Sequence, residues 1–410
     1  MQIDLLFSKV SMRLISFIAL LFFSGLLLAQ SPNTWTKKAD FAGLKRTRAV
    51  AFTLDGKGYV GTGIDTAEIV RKDFWAYDPG TDTWSQIADL PGSVRRDAIA
   101  FTVEPYGYVG SGIDSVTAST PSAQKLNDFW RYDKTTNSWT QIASIPGPGV
   151  YFATGFSIDS KGYLCCGKFG PNMYSNQLWE YKPAIDQWTQ LAPFPGGVRY
   201  QLASFTIGYK AYVGLGTDQD IYRKDIWEFD ATTNSWNAKN DIPASERSAT
   251  MTFSIGNRGY VCMGADGGYL GDLLEYNPDV DDWTSKAPYG GSSRKGGVGF
   301  AINGKGYVGT GKGYSGKKQS FWEYTPQEVV GIEEFDAGIS IYPNPAKDQI
   351  QIKGNISLFG QIRITNTYGQ VVREFNSLEH LTVEGLTSGT YYLELIDGQN
   401  NTIREQFIKL

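Results

Sequence analysis

The sequence predicts an all-β protein: a closed ring of six β-sheet blades followed by a small Ig-like β-sandwich. Three observations carry this. A Trp returns six times, at Trp35, Trp84, Trp139, Trp188, Trp236 and Trp283, with gaps of 49, 55, 49, 48 and 47 residues, a period that points to radially repeated sheets. Short runs rich in Val, Ile, Tyr, Phe and Trp alternate with Gly, Pro, Asp and Asn, without a sustained apolar period of about 3.6, so strands are expected rather than helices. Near the C-terminus the repeats stop and apolar and polar residues alternate, as in Gln349-Ile350-Gln351-Ile352.

The chain opens with an apolar run over residues 14–28 behind Lys9 and Arg13, and the small Ala29 follows it. This reads as a secretory signal peptide over 1–29 rather than a membrane span, because it is short and a small polar stretch succeeds it. Met12, directly before Arg13, is an alternative start. No Cys follows the run, so a lipoprotein anchor is not expected, nor a transmembrane anchor in the mature chain. Cleavage removes Lys9, Arg13 and Asp4 and moves the formal net charge from −4 to −5. A mildly acidic chain gives no reason to expect nucleic acid or an anionic membrane as partner.

Residues 31–326 form the ring. Each copy holds four parts: an Arg before an apolar run ending at Phe (Arg95 to Phe101), a Gly-Tyr-Val-Gly-x-Gly stretch (Gly58 to Gly63), an Asp-Phe-Trp-x-Tyr-Asp stretch (Asp73 to Asp78), and a Trp-centred run ending at Pro (Trp84 to Pro91). Tight-turn residues such as Asp78-Pro79-Gly80-Thr81-Asp82 separate the third part from the fourth. Six copies of the first three strands follow Trp35, but only five Trp strands follow them. The strand around Trp35 is therefore expected to complete the last copy, at Phe321-Trp322-Glu323-Tyr324, and to close the ring without a covalent link.

On these motifs the region from Trp35 to Pro326 resembles the kelch repeat, whose fold is a β-propeller with the first strand of each blade lining a central channel. Two departures stand out. Gly-x-Gly replaces the adjacent glycines of many kelch units, and Leu273-Leu274 stands in the fifth copy where others have an aromatic or apolar residue followed by Trp.

Residues 327–337 are acidic, lack the repeat motifs and read as a linker; 338–410 read as a β-sandwich. Ile341-Tyr342-Pro343-Asn344-Pro345, Asn366-Thr367-Tyr368-Gly369, Leu386 to Tyr392 (with Gly389 and Tyr391) and the terminal Phe407-Ile408-Lys409-Leu410 resemble the C-terminal sorting domain of the type IX secretion system. The resemblance implies the type IX machinery as partner, export from a Gram-negative bacterium, and release or attachment at the outer surface.

The residues limit the chemistry. The only His is His380, in the sorting domain, so the ring has no imidazole for Ser-His-Asp or Cys-His catalysis or for a His-ligated zinc or copper site. Although kelch rings are often described as galactose-oxidase-like, copper oxidase activity is excluded on this ground; no cofactor or metal is expected, and no catalytic residue is assigned. Cys165 and Cys262 occupy the place of Gly61 in their copies and Cys166 that of Thr62, which favours packing over redox or metal duty. The eleven Trp fall on two repeat positions, as expected of packing between blades.

The informative polar set is Arg46, Arg95, Arg199, Arg247 and Arg294, with Val150 in the third copy, at the start of the first strand. That end shares a face with the connections 64–72, 113–127, 168–177, 217–224, 265–271 and 312–319, read as long and irregular. The longest, 113–127, is rich in Ser and Thr, and both an overhang of the mouth and a disordered stretch are open for it. This channel mouth is the candidate site. The guanidinium groups could hold a carboxylate, sulfate or phosphate, or could tie neighbouring loops together through Asp73, Asp128, Asp225 and Asp272. Tyr151, Tyr200, Asp97 and Lys295, near the same strand starts but varying between copies, are the candidates for specificity. The leading function is a surface module binding glycan or another extracellular polymer. A protein-binding or adhesion module is the alternative. A third reading is an enzyme similar to secreted bacterial kelch mutarotases of sialic acid, for which Arg and an acid are implicated.

Overall fold

The structure, a computed structural model, describes residues 33–119, 122–326, 340–353, 359–366, 371–375, 381–397 and 402–410. The signal segment, the linker, Gly369 and His380 lie outside the described residues. Six four-stranded antiparallel sheets make the blades. In blade 1 the strands Val50–Leu54, Lys57–Gly61, Phe74–Asp78 and Thr83–Ile87 lie side by side in that order. Blades 2 to 5 repeat this order. Blade 6 takes Val298–Ile302, Lys305–Gly309 and Phe321–Thr325 from the end of the ring and Thr34–Lys38 from its beginning. Trp35 faces Tyr324 in that pairing, and the first strands of blades 6 and 1 are neighbours. The ring is thus closed by its N-terminal strand, as the missing sixth Trp strand required.

The repeated aromatics join the blades. Each of the six Trp donates its indole N–H at 2.9–3.1 Å to a carbonyl just beyond the fourth strand of the preceding blade, from Trp84 to Ala39 round to Trp35 to Ala287. The polar end of a largely apolar ring is satisfied across the junction. The turn residue two positions before each Trp, Asp82, Asn137, Asp186, Asn234, Asp281 or Asn33, adopts a positive φ. Its side chain accepts a backbone N–H from that same segment of the preceding blade. Asp and Asn tolerate this left-handed conformation, which accounts for their choice over other residues.

Glycine opens the second strand for a different reason. A Cβ at Gly107 would lie 2.2 Å from the Phe52 ring of the preceding blade, and one at Gly162 2.0 Å from Phe101. The Phe that ends the first-strand motif of the preceding blade fills this space at Gly58, Gly107, Gly162, Gly259 and Gly306, while Ala211 stands at the position in the fourth blade. Cys165, Cys166 and Cys262 are fully buried and free, with the Cys165 and Cys166 sulfurs 3.4 Å apart. They are packing residues.

One connection departs from the expectation. Residues 168–177 are not an irregular loop: the second and third strands of blade 3 continue through them as Lys161–Gly170 and Met173–Lys182, paired with register shifts after Cys165 and Lys168. Short ribbons also order others, Thr217–Asp218 with Ile221–Tyr222 and Lys312–Gly313 with Gly316–Lys317.

The C-terminal domain has a three-stranded sheet and a four-stranded sheet. Ile350 and Leu381 of the first and Ile362, Ile364, Leu393, Leu395 and Phe407 of the second share one buried cluster, which makes the pair a sandwich. Alternation places these side chains inward and Gln349, Gln351 and Gln361 outward. Asn344 accepts from the Ile408 N–H at 2.9 Å and donates to the Gln406 carbonyl at 3.1 Å, so Tyr342-Pro343-Asn344-Pro345 is laced to the last strand. Tyr391 is buried against Phe407 and donates to the Thr387 carbonyl, while the Lys409 ammonium donates to the Leu410 carbonyl.

Candidate functional site

Two circles of backbone hydrogen bonds shape the channel mouth. The residue two places after each repeat Arg position is Arg48, Asp97, Phe152, Gln201, Ala249 or Gly296, and all six have φ between 53° and 60°. Each N–H donates to the carbonyl of its counterpart in the preceding blade, from Asp97 to Arg48 round to Arg48 to Gly296, at 2.7–3.2 Å. A second circle links the last Gly of each Gly-x-Gly to the next blade: Gly63 N–H donates to the Arg95 carbonyl, and Gly311 to that of Arg46. Gly63 and its counterparts have φ of 85–108°, and at Gly63 a Cβ would come within 2.7 Å of the Thr47 carbonyl, hence the fixed Gly. Below the mouth the channel, of about 450 Å³, is lined by small residues such as Ala51, Ala100, Gly155, Ser204, Thr252 and Gly299.

The repeat arginines do not face this channel as free anion-binding groups. Arg46, Arg95, Arg199, Arg247 and Arg294 are all at most 3% exposed. Arg46 forms a fork to both oxygens of Asp73 at 2.7 Å, and donates to the Thr62 and Leu44 carbonyls. Arg95 with Asp128 and Arg199 with Asp225 repeat the fork, and Arg247 bonds Asp272 through one nitrogen. Asp73, Asp128 and Asp225 also accept the indole N–H of Trp75, Trp130 and Trp227. Burial raises the Asp73 and Asp128 carboxyls, but the bonds from Arg and Trp outweigh it and hold both below the ordinary value. Of the two roles open for these arginines, the contacts match the second: the guanidinium groups are occupied, clipping the start of the first strand to the start of the third.

The other candidates do come to the mouth, in company that spacing did not reveal. Asp97 is buried between Arg48, at 3.4 Å, and Arg96, which bonds it directly. Burial pushes the Asp97 carboxyl up, against the pull of both guanidinium groups. Arg48 is partly exposed and lies 5.0 Å from the Phe152 ring centre. Tyr200 donates to Asp220 at 2.6 Å and stacks on Tyr174, and the Lys168 ammonium sits 4.5 Å and 4.8 Å from their ring centres. Tyr151 packs with Ile113, Ala118 and Ala123 of the long loop. Arg96 holds that loop by donating to the Ser115 and Val116 carbonyls, so its described part is tied down beside the mouth. Lys295 lies 5.8 Å from the Tyr269 ring centre.

The site thus gains Arg48, Arg96, Lys168, Phe152 and Tyr174, none of which was singled out from sequence. For Arg48 and Phe152 the signal was present: the position two after the repeat Arg differs in every blade, as Arg, Asp, Phe, Gln, Ala and Gly.

Residues 340–409 match the family described as secretion system C-terminal sorting domain. No curated protein matches the chain. Many solved structures do. One is the structure of YjhT, similar at 17% identity with a TM-score of 0.57, over 68% of this chain and 94% of that one. The chain is accordingly a six-bladed β-propeller followed by a domain that matches the secretion-system C-terminal sorting family, a match that implies a secreted or cell-surface protein.

Proposed function

We propose that the propeller is a binding module for extracellular glycan and that the channel mouth holds the ligand. The observation that carries this is the contrast at the inner circle: the backbone repeats from blade to blade, while the side chains on it differ in all six. A rigid scaffold displaying divergent side chains is the arrangement expected of recognition. Aromatic faces at Phe152, Tyr174 and Tyr200 beside polar groups at Arg48, Asp220 and Gln201 suit a sugar, which offers both apolar faces and hydroxyls. The full mature chain on a glycan array tests the reading. Retention on a defined set of glycans is expected, lost on Arg48→Ala or Phe152→Ala with the melting temperature unchanged. A flat array overturns it.

The buried Asp97 beside Arg48 favours a second reading, an enzyme similar to sialic acid mutarotases. An acid and a guanidinium at one mouth could move a proton on a sugar. Saturation-transfer NMR on sialic acid anomers decides it: a mixture that exchanges no faster than without protein removes the enzyme.

A further inference from the structure

Where blades 5, 6 and 1 meet, the mouth gathers cations, and two carboxylates there are already engaged, Asp97 with Arg48 and Arg96 and Glu68 with Lys317. Lys295 and Lys312 exchange two backbone hydrogen bonds, N–H to carbonyl at 3.0 and 2.9 Å, which places them directly opposite on adjacent chain segments. Arg48 follows at once, because its N–H donates to the carbonyl of Gly296, the residue after Lys295. Burial pushes the Lys295 ammonium below its ordinary value, and the positive charges of Arg48 and Lys312 push it the same way. Among the described residues Lys295 and Lys312 form no ion pair, and the one carboxylate that Arg48 reaches, Asp97, is shared with the more deeply buried Arg96. Three like charges gathered on a chain with net charge −4 are an unfavourable arrangement that a bound anion would relieve.

An exposed aromatic platform adjoins them. Tyr314, in the turn after Lys312, is 81% exposed. Its ring meets Tyr269 edge-on at 4.8 Å, and its hydroxyl lies 3.5 Å from the Tyr269 backbone N–H, so it reaches across from blade 6 to blade 5. Tyr269 in turn lies beside Lys295. Neither Tyr belongs to the repeated aromatic positions that pack the blades, and so neither is explained by blade packing. A large aromatic held in solvent and joined through Tyr269 to Lys295 fits a sugar ring with an anionic substituent.

We propose that this rim binds an acidic saccharide, the carboxylate or sulfate held by Lys295, Lys312 and Arg48 and the sugar face laid on Tyr314. This deepens the glycan-binding reading and rests on it. The cations supply charge-assisted bonds, and the aromatic ring supplies apolar contact for the C–H face of the sugar. The rim is open to solvent and suits a chain-internal sugar residue, so a polysaccharide rather than only a free monosaccharide is the expected ligand.

Affinity electrophoresis of the full mature chain through gels containing alginate, dextran sulfate, dextran or poly-glutamate tests the proposal. Retardation by alginate or dextran sulfate is expected, with little by dextran or poly-glutamate; which of the two retards more tells carboxylate from sulfate. Lys295→Ala with Lys312→Ala should weaken it by about tenfold or more, the scale of one lost charge-assisted bond. Tyr314→Ala should weaken it about fivefold. Raising the salt should weaken the wild type more than the double variant. Lys134→Ala, whose ion pair with Asp55 lies on the opposite face, should change nothing and serves as the charge control. Poly-glutamate binding as tight as that of either acidic polysaccharide, or retardation undiminished in the double variant, would overturn the proposal. Retardation by dextran as strong as by its sulfated form overturns the acidic class but leaves glycan binding in place; no retardation by any polysaccharide, with a flat glycan array, sinks both.

Discussion

The buried Arg–Asp fork is the residue that most rewards comparison between blades, because its exceptions vary together. Blade 3 has Val150 in place of Arg, and there Gln177 takes the place of Asp and still accepts the Trp179 indole N–H. Blade 6 keeps Arg294 but has Ser320, to which the guanidinium donates at 3.0 Å, and the Trp322 indole N–H finds no partner among the described residues. A forked pair sealed at the base of a loop is costly to break singly, since the survivor keeps its charge without water. Asp128→Ala is therefore expected to destabilise the propeller by about 3–5 kcal/mol, measured by denaturant unfolding, because Arg95 is fully buried. The same pairs set an acid limit. Asp73 and Asp128 have folded values depressed from 3.8, so their contribution is complete above 3.8 and lost as pH falls below it through the folded values. Wild-type stability should drop in that window, and the Asp128→Ala variant should drop less steeply. The register of these arginines could be read from the sequence, and so could their possible partners at Asp73, Asp128, Asp225 and Asp272. Which of the two roles applied could not, because that depends on distances between residues 25 to 33 positions apart in the chain.

Strand composition follows from neighbours in the next strand or blade. Gly61, Gly110 and Gly309 face Phe74, Phe129 and Phe321, and a Cβ there would lie 2.2–2.4 Å from the ring. Where Cys165 and Cys262 replace that Gly, the facing residues are Leu178 and Leu273. The larger residue on one strand is offset by a narrower one on the other, as close packing demands. Leu273, the first residue of the Leu273-Leu274 departure, is thus half of a compensated pair, while Leu274 stands where the other blades have Trp. At Gly107 the ring that a Cβ would meet, Phe52, belongs to the preceding blade and is itself stacked on Tyr59 at 4.9 Å. Gly107→Ala should cost about 1–3 kcal/mol by overpacking, visible as a lower denaturation midpoint, and Phe52→Leu in the same chain should recover part of it. The strands themselves were legible because alternation and turn residues are local signals. The hairpin that replaces the expected loop at 168–177 was not, since Lys168, Phe169, Tyr174 and Ser175 carry no strict alternation and the pairing runs through two register shifts.

At the scale of the molecule the decisive contact is between the two ends of the ring. Trp35 pairs with Tyr324, bonds the Ala287 carbonyl and meets Tyr289 and Tyr324 at 5.1 Å, while Asn33 accepts from the Tyr324 hydroxyl and the Ala287 N–H. A mature chain beginning at Ala39 would leave Phe321–Thr325 as an open edge and Tyr324 without its partner. Such a chain should unfold at a markedly lower temperature than one beginning at Gln30 and should self-associate, as scanning calorimetry and light scattering would show.

The repeat count, the strand order within a blade, the borrowed first strand and the sorting domain were all written in local pattern and spacing, which is why a linear reading reached them. The role of each polar residue was not, because charge is compensated through space: Arg46 and Arg48 stand two positions apart, yet one is sealed against Asp73 and the other opens to the mouth. Folding into a ring brings Arg48 beside Lys295, nearly the whole propeller away in sequence, and that closeness is what gives the candidate site its charge.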